Sequence, residues 1–165
     1  MNYPTKDLAA CVIIPARYGS SRFPGKPLAH ILGVPMVIVV ARIASTAVGK
    51  KSVYIATDDN RIAECASFYG YNHIMTSEDA LTGTDRVAEA SRVLDYDIFI
   101  NVQGDEPLLN PTDILRCIKL KKENPDVILN GYCSTDLTSA ESSNVPKVVL
   151  DTNCLLYTSP SPRDA

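Results

Sequence analysis

The stretch Cys11-Val12-Ile13-Ile14-Pro15-Ala16-Arg17-Tyr18-Gly19-Ser20-Ser21-Arg22-Phe23-Pro24-Gly25-Lys26-Pro27-Leu28 decides how this chain is read. Its first four residues form a continuous apolar run, the pattern of a strand buried on both faces. The character then changes at once. Arg17, Arg22 and Lys26 are interleaved with Gly19, Gly25, Ser20 and Ser21. Glycines let backbone amides approach a ligand, and the serine hydroxyls add donors. Pro24 and Pro27 stiffen the chain around Lys26 and bias Phe23 and Lys26 away from helix. A preordered, cationic, amide-rich loop at the carboxyl end of a buried strand suits a triphosphate.

Outward from this stretch, strands and helices alternate. Pro35 opens an apolar helix from Met36 to Ala47. Ser52 to Thr57 is a second buried strand, followed by Asp58 or Asp59 as a helix cap and Gly70 as the stop. His73 to Thr76 gives a third strand, with His30 falling in a turn. A helix follows from Asp85 to Leu94, with Val87, Ala88, Ala90 and Leu94 along its apolar side. Ile98 to Val102 is a fourth strand ending in Gln103-Gly104-Asp105-Glu106-Pro107, and Pro111 and Asp113 start a helix to Lys122. Asp126 to Cys133 and Val145 to Asp151 read as further strands. The alternation predicts a Rossmann-like α/β fold, a mostly parallel sheet flanked by helices. Ligands in such sheets bind beyond the carboxyl ends of the strands. The loops after the first, third and fourth strands are therefore the candidate sites.

The 165 residues carry a net charge of −3, with 45% hydrophobic and 21% charged residues, which fits a globular domain with a substantial core. The acidic balance disfavours a general nucleic-acid binder. No apolar run is long enough for a membrane span, and the segment before Cys11 does not read as a signal peptide. A soluble, cytoplasmic protein is expected. The five cysteines include no C-x-x-C pair, and Cys11, Cys65 and Cys117 read as small buried hydrophobes rather than metal ligands. The cationic loop is not a Walker loop: Gly19 to Gly25 encloses five residues, and Pro27 replaces the metal-binding hydroxyl residue. No G-x-G-x-x-G follows the first strand, which disfavours a dinucleotide-dependent oxidoreductase.

Two other segments carry candidate chemistry. Asp105 follows a buried strand, so its carboxylate should project at the strand's carboxyl end. Mg²⁺ takes one or two carboxylates together with substrate phosphates and water. Gln103, two residues earlier, points to the same side. Gly83-Thr84-Asp85-Arg86 opens a helix, whose free amides can bind an anion. Arg86 in a first turn opposes the helix dipole, so it either serves the site or pairs with Asp85 or Glu89 on the surface. Asp58 and Glu106 are each a ligand, a cap or a solvated carboxylate.

The sequence resembles the sugar-nucleotide cytidylyltransferases, and among them the branch acting on 3-deoxy-manno-octulosonate (Kdo). The resemblance lies in I-I-P-A-R-Y-G-S-S-R-F-P-G-K-P-L at 13–28, G-V-P-M at 33–36, A-T-D-D at 56–59, G-T-D-R at 83–86, N-V-Q-G-D-E-P at 101–107 and N-V-P-K-V-V-L-D at 144–151. It implies a nucleotide-diphospho-sugar transferase fold and cytidylyl transfer from CTP to Kdo, releasing pyrophosphate and activating Kdo for lipopolysaccharide biosynthesis. It also implies Mg²⁺ as cofactor and a homodimer, without nucleic-acid or membrane partners. By resemblance, Arg17 and Lys26 hold the CTP phosphates with support from Arg22, and Ala16 contacts the nucleotide through its backbone. Gly83, Thr84 and Arg86 belong to the nucleotide pocket, with Arg86 and Gln103 near the sugar acid and Asp105 on Mg²⁺.

Two departures stand out. Ala80 and Thr82 occupy positions where the family commonly has histidine and serine, which leaves 8-amino-Kdo or another 2-keto sugar acid, such as a nonulosonic acid, as alternative acceptors. Family members also run to roughly 250 residues, within reach of one α/β domain. The further part carries more sugar contacts, a second metal-binding aspartate and much of the dimer interface, so a CTP-binding piece without turnover is a second possibility. From Thr158 the chain has no apolar period. From Cys154, C-L-L-Y-T-S-P-S-P-R-D resembles translated sequencing-adapter read-through. Residues 1–153 are thus expected to be the N-terminal part of one cytidylyltransferase domain, incomplete at its C-terminus, and residues 154–165 a foreign tail.

Overall fold

The computed structural model describes residues 8–19, 23–134, 136, 141, 148–150 and 156–158. The chain divides into two compact units, Met1–Leu129 and Asn130–Ala165.

Four parallel strands form the sheet of the first unit: β1 (Ala10–Ala16), β4 (Val53–Thr57), β5 (Asn72–Met75) and β6 (Ile98–Asn101), in the order β5-β4-β1-β6. Strand β1 is paired on both edges, with Val12 opposite Val53 on one side and Ile100 on the other. Both faces are covered as well. Val12, Ile14, Val53 and Ile55 pack with Val37, Ile38, Val40 and Ala41 of α1 (Met36–Val48), Ile62 of α2 (Asn60–Phe68) and Ile114 of α4 (Pro111–Glu123). Cys11, Ile13 and Ala56 face the other way, toward Val87 and Ala90 of α3 (Gly83–Ser91). Burial on both faces is why these strands read as unbroken apolar runs. Burial also pushes the Cys11 thiol up to about 12, so it is an inert core residue.

The strand order is third, second, first, fourth. The order therefore reverses between β1 and β6, the switch point where open α/β sheets bind ligands. The loop after β1 leads into a short 3₁₀ turn (Lys26–Leu28) and an antiparallel pair, β2 (His30–Ile31) and β3 (Val34–Pro35), before α1 begins. A Walker loop would run straight into its helix. His30 thus lies in a strand, pairing with Pro35, rather than in a turn.

Three further expectations are corrected. Helix α3 begins two residues earlier than its pattern implies, because Thr82 and Asp85 form a reciprocal capping box. Ala88 on that helix is exposed; the buried face is Arg86, Val87 and Ala90. Residues 126–133 form no strand and are exposed throughout, Ile128 to 97%. An apolar run becomes a strand only with a ladder partner, and among the described residues no strand pairs with this one. In the second unit β7 (Val148–Leu150) pairs antiparallel with β8 (Leu156–Thr158). Part of the expected final strand and part of the expected tail therefore form one ladder; residues 145–147, 151–155 and 159–165 lie outside the described residues.

Charge is used sparingly in the interior. Arg86 of α3 is 2% exposed and donates to Asp58 Oδ2 at 2.7 Å, to the Thr76 hydroxyl and to the Ser77 carbonyl. One guanidinium thus ties the carboxyl ends of β4 and β5 to the first turn of α3. Removing one partner of a buried pair leaves the other charge uncompensated. Asp58→Ala is expected to cost about 3 kcal/mol in urea denaturation. By the same measurement Ile14→Ala should cost about 2–5 kcal/mol and Ile128→Ser less than about 0.5 kcal/mol. A comparable loss for Ile128→Ser would mean that residues 126–133 are packed.

Candidate active site

The cationic loop is shaped by its glycine at the far end. Gly25 has φ 72°, a left-handed conformation, and its N–H donates to the Tyr18 carbonyl at 2.9 Å. A Cβ at position 25 would lie 3.0 Å from the Tyr18 ring, so both backbone conformation and space require glycine. The next residue is Lys26, at the start of the 3₁₀ turn.

Strand β6 brings the opposing group. The β1–β6 ladder continues one step further, with Val102 N–H donating to the Ile13 carbonyl at 3.1 Å. Gly104 then lies against the end of β1, where a Cβ would sit 2.9 Å from the Pro15 oxygen. That close approach delivers Asp105 to the cationic loop, and Lys26 Nζ donates to Asp105 Oδ2 at 2.6 Å. The side chains are 41% and 46% exposed, so solvent screens the pair and it contributes at most about 1 kcal/mol. A polyanion for the lysine and a cation for the carboxylate can replace it cheaply.

The third candidate loop arrives beside them. A Cβ at Gly83 would be 3.3 Å from both Gln103 Oε1 and Pro15 Cγ, so the start of α3, the β6 turn and the end of β1 meet at one point. Gln103 is exposed, with its amide donating to Asn101 Oδ1 at 3.3 Å; it is not a buried structural amide. Thr84 is exposed in the first turn of α3, and Ala16 is buried at the end of β1. Arg17, the next residue, is exposed and has no ion-pair partner among the described residues. Ala16, Lys26, Gly83, Gln103 and Asp105 are thus gathered at the switch point. Arg22 lies outside the described residues. Arg86 pairs with neither Asp85 nor Glu89; its guanidinium is buried on Asp58, Thr76 and Ser77. Glu106 is exposed.

The loop after β4 adds two carboxylates, and of the two candidate caps it is Asp59 that caps α2. Asp58 holds Arg86, and Asp59 accepts from Arg61 N–H at 2.9 Å. Arg61 also grips Asp59 through its side chain, at 2.9 Å to Oδ1 and 2.6 Å to Oδ2. These hydrogen bonds hold the Asp59 carboxyl below the usual carboxylate range. The Arg61 guanidinium carbon lies 3.2 Å from the centroid of the Tyr18 ring. The D-x-R spacing is visible in the sequence, but its partner Tyr18 belongs to a different loop.

Among the described residues no three His, Cys, Asp or Glu side chains gather to hold an ion, which excludes a protein-only cage there. An exposed carboxylate beside a lysine is compatible with Mg²⁺, which takes one or two carboxylates and completes its shell with phosphates and water. Among the described residues no helix is long and apolar enough to cross a membrane.

Comparison with known proteins agrees with the fold. The cytidylyltransferase family model matches residues 11–162. An 8-amino-3,8-dideoxy-manno-octulosonate cytidylyltransferase from Shewanella sp. (strain W3-18-1) is 45% identical over 148 residues, covering 86% of this chain and 60% of its own length. The corresponding protein of Shewanella frigidimarina is 50% identical over 146 residues, covering 85% of this chain and 60% of its own. The chain therefore spans about 60% of the length of these curated relatives. Among solved structures, a CMP:2-keto-3-deoxy-manno-octonic acid synthetase complexed with CTP superposes with a TM-score of 0.78 at 36% identity, covering 94% of this chain and 67% of that one. With its parallel sheet, its helical layers and its loop constellation at the switch point, the chain belongs to the cytidylyltransferase family.

Proposed function

We propose that this protein transfers a cytidylyl group from CTP to a 2-keto sugar acid, releasing pyrophosphate. The observation that carries the reading is the Lys26–Asp105 pair at the strand-order reversal, a cation and a carboxylate held 2.6 Å apart in exposed positions. In the reaction an acceptor hydroxyl oxygen attacks the α-phosphorus of CTP. The bond from that phosphorus to the bridging oxygen breaks, pyrophosphate departs, and the hydroxyl proton passes to solvent or a base. Such transfers depend on positioning and charge neutralisation rather than on covalent help from the protein. Lys26 and Arg17 hold the phosphates and neutralise the departing pyrophosphate, with Arg22 in support. Ala16, Gly83 and Thr84 approach the nucleotide with backbone groups. Gln103 lies beside Gly83, on the side assigned to the sugar acid. Mg²⁺, held by Asp105 with phosphate oxygens, would add charge neutralisation at the phosphates. Arg86, assigned by resemblance to the nucleotide and sugar-acid pocket, is instead read as a positioning residue, because its guanidinium is buried on Asp58, Thr76 and Ser77.

The acceptor we assign is 8-amino-Kdo, on the printed activity of relatives 45–50% identical to this chain. Kdo is the second reading, supported by the 36% identical synthetase. Thr82 does not separate the two, since its hydroxyl caps α3 as a serine would. Cytoplasmic location and a homodimer belong to the same proposal; the free cysteines among the described residues fit a reducing compartment.

The test is Mg²⁺-dependent pyrophosphate release from CTP with each acid, alongside calorimetric titration with CTP alone. Turnover with 8-amino-Kdo exceeding that with Kdo is the expected result. CTP binding without product from either acid would reduce the reading to nucleotide binding, and no CTP binding would overturn it. Asp105→Asn and Lys26→Met should each lower the rate by about 100-fold or more, the scale of losing one preorganised charge contact. An unchanged rate in either variant removes that residue from the machinery.

A further inference from the structure

We propose that Arg61 is a positioning residue for the cationic loop, acting through the ring of Tyr18. Its functional consequence rests on the CTP reading above; its structural part does not.

Three observations meet at this point. Asp59 fixes the guanidinium with two side-chain hydrogen bonds at 2.9 and 2.6 Å, on a residue already anchored as the cap of α2. The fork holds the planar group in one orientation, which a lysine could not reproduce. The guanidinium carbon lies 3.2 Å from the Tyr18 ring centroid, well inside the range of a cation–π contact. The same ring lies against Gly25, whose missing side chain it would otherwise meet at 3.0 Å, while the Tyr18 carbonyl accepts from Gly25 N–H. The two ends of the loop are thus latched to each other at Tyr18 and Gly25, and the latch is braced from α2. Lys26 is the next residue along the chain.

The cation of Arg61 is neutralised by Asp59 in the fork. Its contribution is therefore stacking and orientation rather than attraction of phosphate from a distance. A loop held in its binding conformation before the ligand arrives loses less entropy on binding. Arg61 should tighten CTP binding without touching CTP.

The test compares the wild type with Arg61→Ala, Tyr18→Leu, Tyr18→Phe and the double variant Arg61→Ala/Tyr18→Leu. Three quantities are measured: exchange of the Gly25 amide by NMR without nucleotide, CTP affinity by calorimetry, and melting temperature. Asp59 still caps α2 in Arg61→Ala, so the fold should survive. Arg61→Ala and Tyr18→Leu should speed Gly25 exchange and weaken CTP binding about three- to fivefold, the scale of one partly exposed cation–π contact. Tyr18→Phe should match the wild type, and the double variant should be no worse than the singles, because both break one contact. The proposal is overturned if Arg61→Ala leaves Gly25 exchange unchanged, if Tyr18→Phe behaves as Tyr18→Leu, or if the two losses add. Faster exchange with unchanged CTP affinity overturns the functional half. If the wild type binds no CTP, the functional reading fails, while Gly25 exchange still decides whether the latch exists.

Discussion

A side chain at position 104 would place its Cβ 2.9 Å from the Pro15 carbonyl oxygen, so β6 can pass its turn across the end of β1 only with glycine there. The candidate site depends on this close approach. It occurs where the strand order reverses, the one place in the sheet where neighbouring loops are carried to opposite sides and leave a crevice between them. On one side of the crevice is a cationic loop whose last residue is Lys26, and on the other a turn whose carboxylate is Asp105. Glycine at 83 lets the third loop reach the same point. Three separate loops become one site because three backbone segments can nearly touch.

The charged pairs around this site divide by burial. Arg86 with Asp58 is nearly closed to solvent, and breaking it would strand a charge in the interior. It belongs to the scaffold and fixes where β4 and β5 end relative to α3. Lys26 with Asp105 is nearly half exposed on both sides and is held only weakly. It can separate when ligands offer each group a better partner. Arg61 with Asp59 stands between these extremes, exposed on the arginine but fixed as a fork against a ring. Rigid scaffold, braced loop and exchangeable contact charges are the division of labour a phosphoryl-transfer site needs.

Much of this was legible in the sequence, for physical reasons that can be named. The strands stand out because burial on both faces leaves no polar alternation, and Pro35, Asp59, Gly70 and Pro111 punctuate the helices. The loop at 15–28 announces its chemistry because cations and glycines crowd beyond a buried strand. Other features were not legible. The run at 126–133 has the apolar content of a strand, but pairing partners are a tertiary property. Arg86 could be recognised as out of place in a first helical turn; its true partners Asp58 and Thr76 sit on different loops and only the fold brings them together. Tyr18 and Arg61 share the same difficulty. Each looks like an ordinary surface residue until the end of β1 and the start of α2 are set side by side.

The family match joins these elements to a chemistry that the geometry alone leaves general. A lysine and a carboxylate at a switch point could serve many phosphate ligands, and the CTP bound in the 36% identical synthetase is what supports CTP as the proposed nucleotide. In the proposed complex Lys26 and Asp105 lie on either side of the phosphates of that nucleotide. The most direct measurement is an anomalous difference map from crystals grown with CTP and Mn²⁺. The expected map shows a manganese peak beside the Asp105 carboxylate and Lys26 Nζ moved from Asp105 to a CTP phosphate oxygen. CTP bound away from Gly83 and Gly104, or a manganese peak remote from Asp105, would contradict it.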